Sequence, residues 1–195
     1  IDKAYTWKDR DGNEHVYNGD TRWWNHTMQF NNPQTQNDLS IEGGSDRISY
    51  MVGAGQFHQR GAAIGNFYDR YNFRSNLSAR PKDWMRMGIN VAFSYDKKQR
   101  NANFGNSEEN AQYTSGGLSF LLSPLYPATG KDYAKKYPGV NMTNPYYAQK
   151  NSPDVYERYG VLANAFIELE PIKNLKIRSR IGSDMYFILD NWKTN

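Results

Sequence analysis

The side chains able to move protons, bind metals or attack carbonyls are scattered along this chain. Its three histidines, His15, His26 and His58, lack the short spacing that turns two imidazoles onto one ion. They are expected to be loop residues rather than ligands. The absence of cysteine excludes disulfides, thiolate metal sites and cysteine nucleophiles. No G-x-S-x-G elbow occurs, and Gly130-Lys131 lacks both the glycine spacing and the following Ser or Thr of a phosphate loop, so it reads as a turn. In the run Asp9 to Glu14, a calcium loop would need alternating carboxylates and a distal Glu, whereas an Asp-Gly hairpin turn meets the spacing more simply. Glu108 and Glu109, or Asp154 and Glu157, could approach other carboxylates as glycoside hydrolysis requires, but nothing singles them out. Sequons at Asn25, Asn76 and Asn141 match a short pattern that arises by accident. The expectation is a protein that is not an enzyme, with no catalytic residue, cofactor or metal.

Contact chemistry is better supplied. Aromatics make up 15 % of the chain. Tyr126, Tyr133, Tyr137, Tyr146 and Tyr147 cluster in one stretch, where ring faces and hydroxyls suit stacking on sugars or peptide side chains, or pinning the stretch to its neighbours. The net charge of +4 is spread without a basic stripe, which argues against a nucleic-acid partner. No run of apolar residues approaches the ~20 that a helical span needs, and a mean hydropathy of -0.89 does not exclude strands, in which only alternate residues are apolar.

That alternation dominates the chain from Gln36 onward. Met85, Met87, Ile89, Val91, Phe93 and Tyr95 alternate with Arg86, Gly88, Asn90, Ala92, Ser94 and Asp96. Tyr71, Phe73 and Leu77 do so with Asn72, Arg74, Asn76 and Ser78, as do Ile48, Tyr50, Val52 and Ala54 after the Gly43-Gly44 turn. Tyr159, Val161, Ala163, Ala165, Ile167 and Leu169 form another apolar row, blurred by Leu162 and Phe166 opposite, and Leu175, Ile177 and Ile181 begin a last one. Roughly six antiparallel strands are predicted, an all-β transmembrane barrel segment that is part of a larger barrel.

Connection lengths organise these strands. Short turns at Gly43 to Asp46, Arg80 to Asp83 and Pro171 to Asn174 alternate with a medium loop around Gly61 to Tyr68 and a long one from Lys97 to Pro153. Outer-membrane barrels have this asymmetry, with short periplasmic turns and long outer loops. The chain then divides into 1–35, an extracellular region leading into the barrel; 36–96, strands with short periplasmic turns; 97–153, a long extracellular loop; and 154–195, strands and the start of the next loop. Tyr71, Tyr95 and Tyr159 fall near the outer interface, where amphipathic rings collect. The lipid-facing set includes Ile89, Val91, Phe93, Tyr95, Val161, Ile167 and Ile177. The lumen-facing set comprises Asn72, Arg74, Asn76, Arg86, Asn90, Asn164, Glu168, Lys176, Arg178 and Arg180, most of them expected to pair with one another rather than with substrate.

The order LSIEGG, RYNFRSN and WMRMGINVAFSY, followed by SPLYP and ERYGVLANAFIELEPIKNLKIRSRIG, resembles the early barrel region of SusC-like TonB-dependent transporters over about Trp23 to Gly182. The resemblance implies energised import of large nutrients, glycans or peptides, across the bacterial outer membrane. It also implies a SusD-like surface lipoprotein and a TonB-type energy transducer as partners, with outer-membrane lipid around the wall. The plug and most of the barrel have no counterpart here, and an exported protein requires a signal upstream of Ile1. The contrasting reading is a soluble aromatic-rich β-domain that binds glycans at a surface, in which two sheets would share their apolar faces.

Overall fold

The computed structural model describes residues 5–8, 12, 14–17, 19–101, 122–129, 144–151 and 153–192. Two short strands, β1 (Tyr5–Lys8) and β2 (Glu14–Tyr17), pair antiparallel across a turn in which Gly12 adopts φ +84°, a conformation glycine enters without steric cost. This is the expected Asp-Gly hairpin. A one-turn helix, α1 (Trp23–Thr27), follows.

The body of the chain is one antiparallel sheet of six strands in sequence order: β3 (Gln34–Gly44), β4 (Ile48–Arg60), β5 (Phe67–Lys82), β6 (Met85–Asn101), β7 (Pro153–Ile172) and β8 (Leu175–Trp192). A second short helix, α2 (Pro145–Asn151), precedes β7. Each strand pairs with its chain neighbour, so the sheet is a meander whose outer edges are β3 and β8. The strands from β5 to β8 run 16, 17, 20 and 18 residues, well beyond the ~9 to 11 that a tilted strand needs to cross a bilayer.

Several strands extend past the bounds set by hydropathy: β6 continues from Tyr95 to Asn101, and β5 begins at Phe67. The extra residues, including Lys97, Lys98, Gln99 and Arg100, are polar, so the apolar alternation fades while the backbone ladder persists. Hydrogen bonding, unlike hydropathy, does not need a greasy partner.

Three connections are tight: 45–47, Asp83–Trp84 and Lys173–Asn174. The last two share a design. In each, one strand carries an extra residue before the turn, between Ala79 and Lys82 and between Leu169 and Ile172. Each bulge holds a proline, Pro81 or Pro171, where a residue without an N–H is tolerated. The residue before each proline donates its N–H to the turn of the preceding hairpin, Arg80 to Arg47 O at 2.6 Å and Glu170 to Trp84 O at 2.7 Å. Asn174 closes its turn at φ 69°, and its N–H is held by Glu170 Oε1 at 3.1 Å.

Among the described residues the sheet has no conventional core. Its apolar residues are exposed, among them Ile41 at 63 %, Phe93 at 40 % and Ile181 at 76 %, and the described residues contain no second sheet to cover them. A soluble sandwich would bury that face. The described buried core instead lies among the connections, where Trp23, Leu122 and Ala128 pack together.

Candidate functional site

The register assigns every strand residue to a face, because directly opposed residues on neighbouring strands project to the same side. One rung reads Val52, Ser75, Val91, Ala163 and Ser183; the next reads Leu39, Ala54, Phe73, Phe93, Val161 and Met185. Ile89 opposes Leu77 and Ala165, Met87 opposes Ile167, and Leu169 opposes Ile177. Ile89, Val91, Phe93, Tyr95, Val161, Ile167 and Ile177 therefore share a single face, the apolar one.

At the long-loop end of that face the rung is aromatic. Tyr71, Tyr95, Tyr159 and Phe187 stand opposite one another on β5 to β8, with ring centroids 6.2 Å apart for Tyr71–Tyr95 and 4.8 Å for Tyr95–Tyr159. Phe187 extends the tyrosine row by one strand, an alignment that only the register reveals. The next rung outward is charged: His58 pairs with Asp69, and Lys97 Nζ lies 2.9 Å from Glu157 Oε1. The face thus changes from aliphatic to aromatic to ionic within a few residues, the gradient of a bilayer passing from hydrocarbon to headgroup.

The opposite face gathers the polar set. Asn76, Asn90 and Asn164 form one rung across three strands, ending at Gly182. Asn72 and Arg74 oppose Ser94 and Ala92, while Arg86, Glu168 and Arg178 form a rung near the short turns, beside Phe166 opposite Arg180. Arg178 reaches Glu168 at 3.7 Å. Nearer the long loops, Arg70 lies over Phe57 and Arg158 over Tyr186, at 5.6 and 5.3 Å from the ring centroids, and the Tyr68 hydroxyl donates to Asp96 at 2.5 Å. Leu162 and Phe166, which interrupt the polar pattern, do sit on this face. Phe166 has a specific seat: its ring covers Gly88, where a Cβ would stand 2.8 Å from the ring Cζ, and Arg178 stacks on it at 4.2 Å.

The connections at the long-loop end form a small packed platform. Thr21 N–H donates to Pro124 O at 2.8 Å and Trp23 Nε1 to Ser123 O at 3.0 Å, tying the α1 segment to the stretch 122–128. Gln29 N–H donates to Ala62 O and Ile64 N–H to Thr27 O, tying the same segment to the β4–β5 connection. Buried Asn144 caps α2, its Oδ1 accepting from Tyr146 N at 3.0 Å and Tyr147 N at 3.3 Å while Pro145 occupies the first helical position. Among the candidate contact tyrosines, Tyr126 packs on the Trp23 core, and the Tyr146 ring meets His26 edge-on at 6.1 Å. Tyr147 is half-buried in α2; Tyr133 and Tyr137 lie outside the described residues, as do Asn141, Glu108, Glu109, Gly130 and Lys131. No pattern along the chain marks Trp23 as the centre of this cluster, since its partners come from distant stretches without a periodic pattern.

Among the described residues no group of three or more His, Asp or Glu is arranged to hold a metal ion. No helix among them is long and apolar enough to cross a membrane, which says nothing of strands.

No family model matches the chain. It is 27 % identical over 160 residues to TonB-dependent receptor P26 of Formosa agariphila, a match covering 81 % of this chain and 15 % of that protein. Among solved structures it is similar to the RagAB peptide importer in the closed-closed state, with 27 % identity and a TM-score of 0.67 over 96 % of this chain and 20 % of that one. The open-open state of the same importer gives 26 % identity and a TM-score of 0.67, again over 96 % of this chain and 20 % of that one. The chain therefore spans about a fifth or less of the length of these relatives. A meander of long strands, apolar on one face and polar on the other, with these likenesses in both sequence and structure, makes the chain similar to a stretch of the outer-membrane barrel of a SusC-like TonB-dependent transporter.

Proposed function

We propose that this sheet is part of the wall and outer loops of an importer that moves large nutrients, glycans or peptides, across the outer membrane without covalent chemistry. The observation that carries the reading is the division of the sheet into an apolar face rimmed by aromatic and ionic rungs and a polar face behind it. Such a division suits a wall between hydrocarbon and a filled lumen. In this reading Ile89, Val91, Phe93, Val161, Ile167 and Ile177 meet lipid, Tyr95 sits at the outer interface, and the short turns are periplasmic. The polar residues from Asn72 to Arg180 serve chiefly as packing and hydrogen-bonding partners within the lumen.

Tyr126, Tyr146 and Tyr147 act first as pins of the loop platform, with substrate contact left to the parts of their rings that remain exposed. By family resemblance, a TonB-type transducer supplies the energy and a SusD-like lipoprotein covers the outer opening. The RagAB neighbours are peptide importers, which makes peptides the first cargo to try.

Uptake of labelled oligopeptides and of labelled oligosaccharides by cells with and without the full polypeptide tests this reading. The expected result is loss of uptake for one of the two cargo classes on deletion, restoration on complementation, and abolition by a protonophore. Unchanged uptake of both would overturn the importer reading.

A further inference from the structure

Beyond the tyrosine row the apolar side of the sheet becomes charged, and its charges do not cancel. Asp69 pairs with His58 and Glu157 with Lys97, which takes up both acids of the ionic rung. One rung further out, Arg60 stands opposite Phe67, in line with Gln99, Val155 and Asn191. Among the described residues Arg60 has no carboxylate within ion-pair distance, and its side chain is exposed. Height matters here. At ~3.4 Å per residue and a strand tilt of ~35 to 45°, the His58 rung stands about 5 Å above the tyrosines and the Arg60 rung about 10 Å. The headgroup layer on each side of a bilayer is about 5 to 8 Å deep, so both rungs lie at or just above the level of lipid phosphates.

A cleft of about 330 Å³ opens at this level, at the lower end of the size of small-molecule sites. His58, Arg60 and Phe67 line it from the strands, and Gln29, Gly65 and Asn66 line it from the connections. Its walls are tied together. Gly61 N–H donates to Asn66 O at 2.9 Å and Asn66 N–H to Ala63 O at 3.1 Å. Gln29 crosses to the same turn through its backbone N–H to Ala62 O at 2.8 Å and its Nε2 to Gly61 O at 2.7 Å. Gly65 turns the chain at φ +86°, where a side chain would be strained. Asn66 Oδ1 is a buried acceptor with no hydrogen-bond partner among the described residues, a condition native proteins seldom tolerate. Asp69 engages His58 through Nδ1, and in the protonated ring Nε2–H is a second donor. The cleft thus combines a guanidinium fork, an imidazole edge and an unmet acceptor.

We propose that this cleft, with Arg60 as its anchor, binds the phosphate of an outer-leaflet glycolipid headgroup. The proposal rests on the reading of the sheet as barrel wall with its long loops outside. Anionic oxygens of the phosphate accept from the Arg60 fork and from His58 Nε2–H, and a hydroxyl of the attached sugar donates to Asn66 Oδ1. Phe67 and the tyrosine row offer apolar surface to the carbons below the headgroup. A free phosphate in solution would meet the same donors. The lipid is favoured because the cleft opens on the face whose lower rungs are aliphatic and aromatic, so a lipid anchored there brings its phosphate to the cleft without losing contact with the bilayer.

The test uses the full polypeptide, extracted from outer membranes in detergent, with the variants Arg60→Glu, Arg60→Gln and, at a short turn at the other end of the strands, Arg47→Glu. Assembly is read from heat-modifiable gel mobility, and bound lipid is counted by native mass spectrometry during titration. The probes are bisphosphorylated lipid A, its dephosphorylated form, and inorganic phosphate as competitor. The expected result is that Arg60→Glu assembles and binds bisphosphorylated lipid A on the order of tenfold more weakly than wild type, while Arg47→Glu binds as wild type does. Arg60→Gln should show a smaller loss, and it carries the test if Arg60→Glu does not assemble. Wild type should bind the dephosphorylated lipid about as weakly as Arg60→Glu binds the phosphorylated one. Equal binding of the two lipids by wild type, or equal losses in the Arg60 and Arg47 variants, would overturn the proposal. Displacement of the lipid by an equal concentration of inorganic phosphate would also overturn it, by assigning the cleft to a soluble anion. Absence of a heat-modifiable form in the wild-type polypeptide would overturn the barrel reading and this proposal with it.

Discussion

Gly88 shows how one residue's lack of a side chain arranges two others. A methyl group there would meet the Phe166 ring and come within 3.0 Å of Leu77 O, so the ring must leave its seat and Arg178 loses the surface on which it stacks. Gly88→Ala is therefore expected to destabilise the assembled barrel by about 1 to 3 kcal/mol, the usual cost of overpacking, read as a lower urea midpoint of the full polypeptide. On the other face, Val91 stands mid-strand between Ser75 and Ala163. Val91→Arg should cost about 2 to 4 kcal/mol in a lipid-facing position near the bilayer midplane, seen as a reduced heat-modifiable fraction. An unaltered fraction would contradict the lipid-facing assignment. At this scale the sequence was informative wherever side chains alternate cleanly. It was least informative at Leu162 and Phe166, apolar residues on a polar face, because the reason for Phe166 lies in a glycine and an arginine on two different neighbouring strands.

Strands and turns followed from hydropathy and punctuation, since GGSD, RPKD and PIKN each mark a reversal of chain direction. Their exact ends did not, because the ladder runs on through polar residues such as Lys97 to Arg100, where hydropathy carries no signal. The bulges were also hidden: one extra residue beside Pro81 or Pro171 changes no pattern that can be counted along the chain. The loop platform was the least legible part. Its helices are 5 and 7 residues long, too short for a periodic stripe, and its core joins residues about a hundred positions apart, as in the bond from Trp23 to Ser123. Asn144→Ala removes the acceptor for two amides and empties a buried polar position. It should cost about 1 to 2 kcal/mol locally and speed hydrogen exchange at the amides of Tyr146 and Tyr147. Unchanged exchange at both amides would show that the cap does not hold α2 in place.

At the scale of the molecule, the sheet has, among the described residues, two unpaired edges and an uncovered apolar face, both of which are resolved when it is one arc of a larger closed barrel in lipid. In the proposed orientation the tyrosine row and the ionic rung beyond it lie at the outer leaflet and the short turns at the periplasmic rim. On the proposed barrel reading the apolar face meets lipid and the polar face does not. Nitroxide labels on single cysteines introduced at Val91 and at Asn90, adjacent in sequence but on opposite faces, test it in the full polypeptide reconstituted in bilayers. The label at Val91 is expected to be relaxed by oxygen dissolved in the membrane and shielded from a water-soluble nickel complex, while the label at Asn90 is expected to show no such lipid exposure. The same accessibility at both positions, or lipid exposure at Asn90 instead, would contradict it.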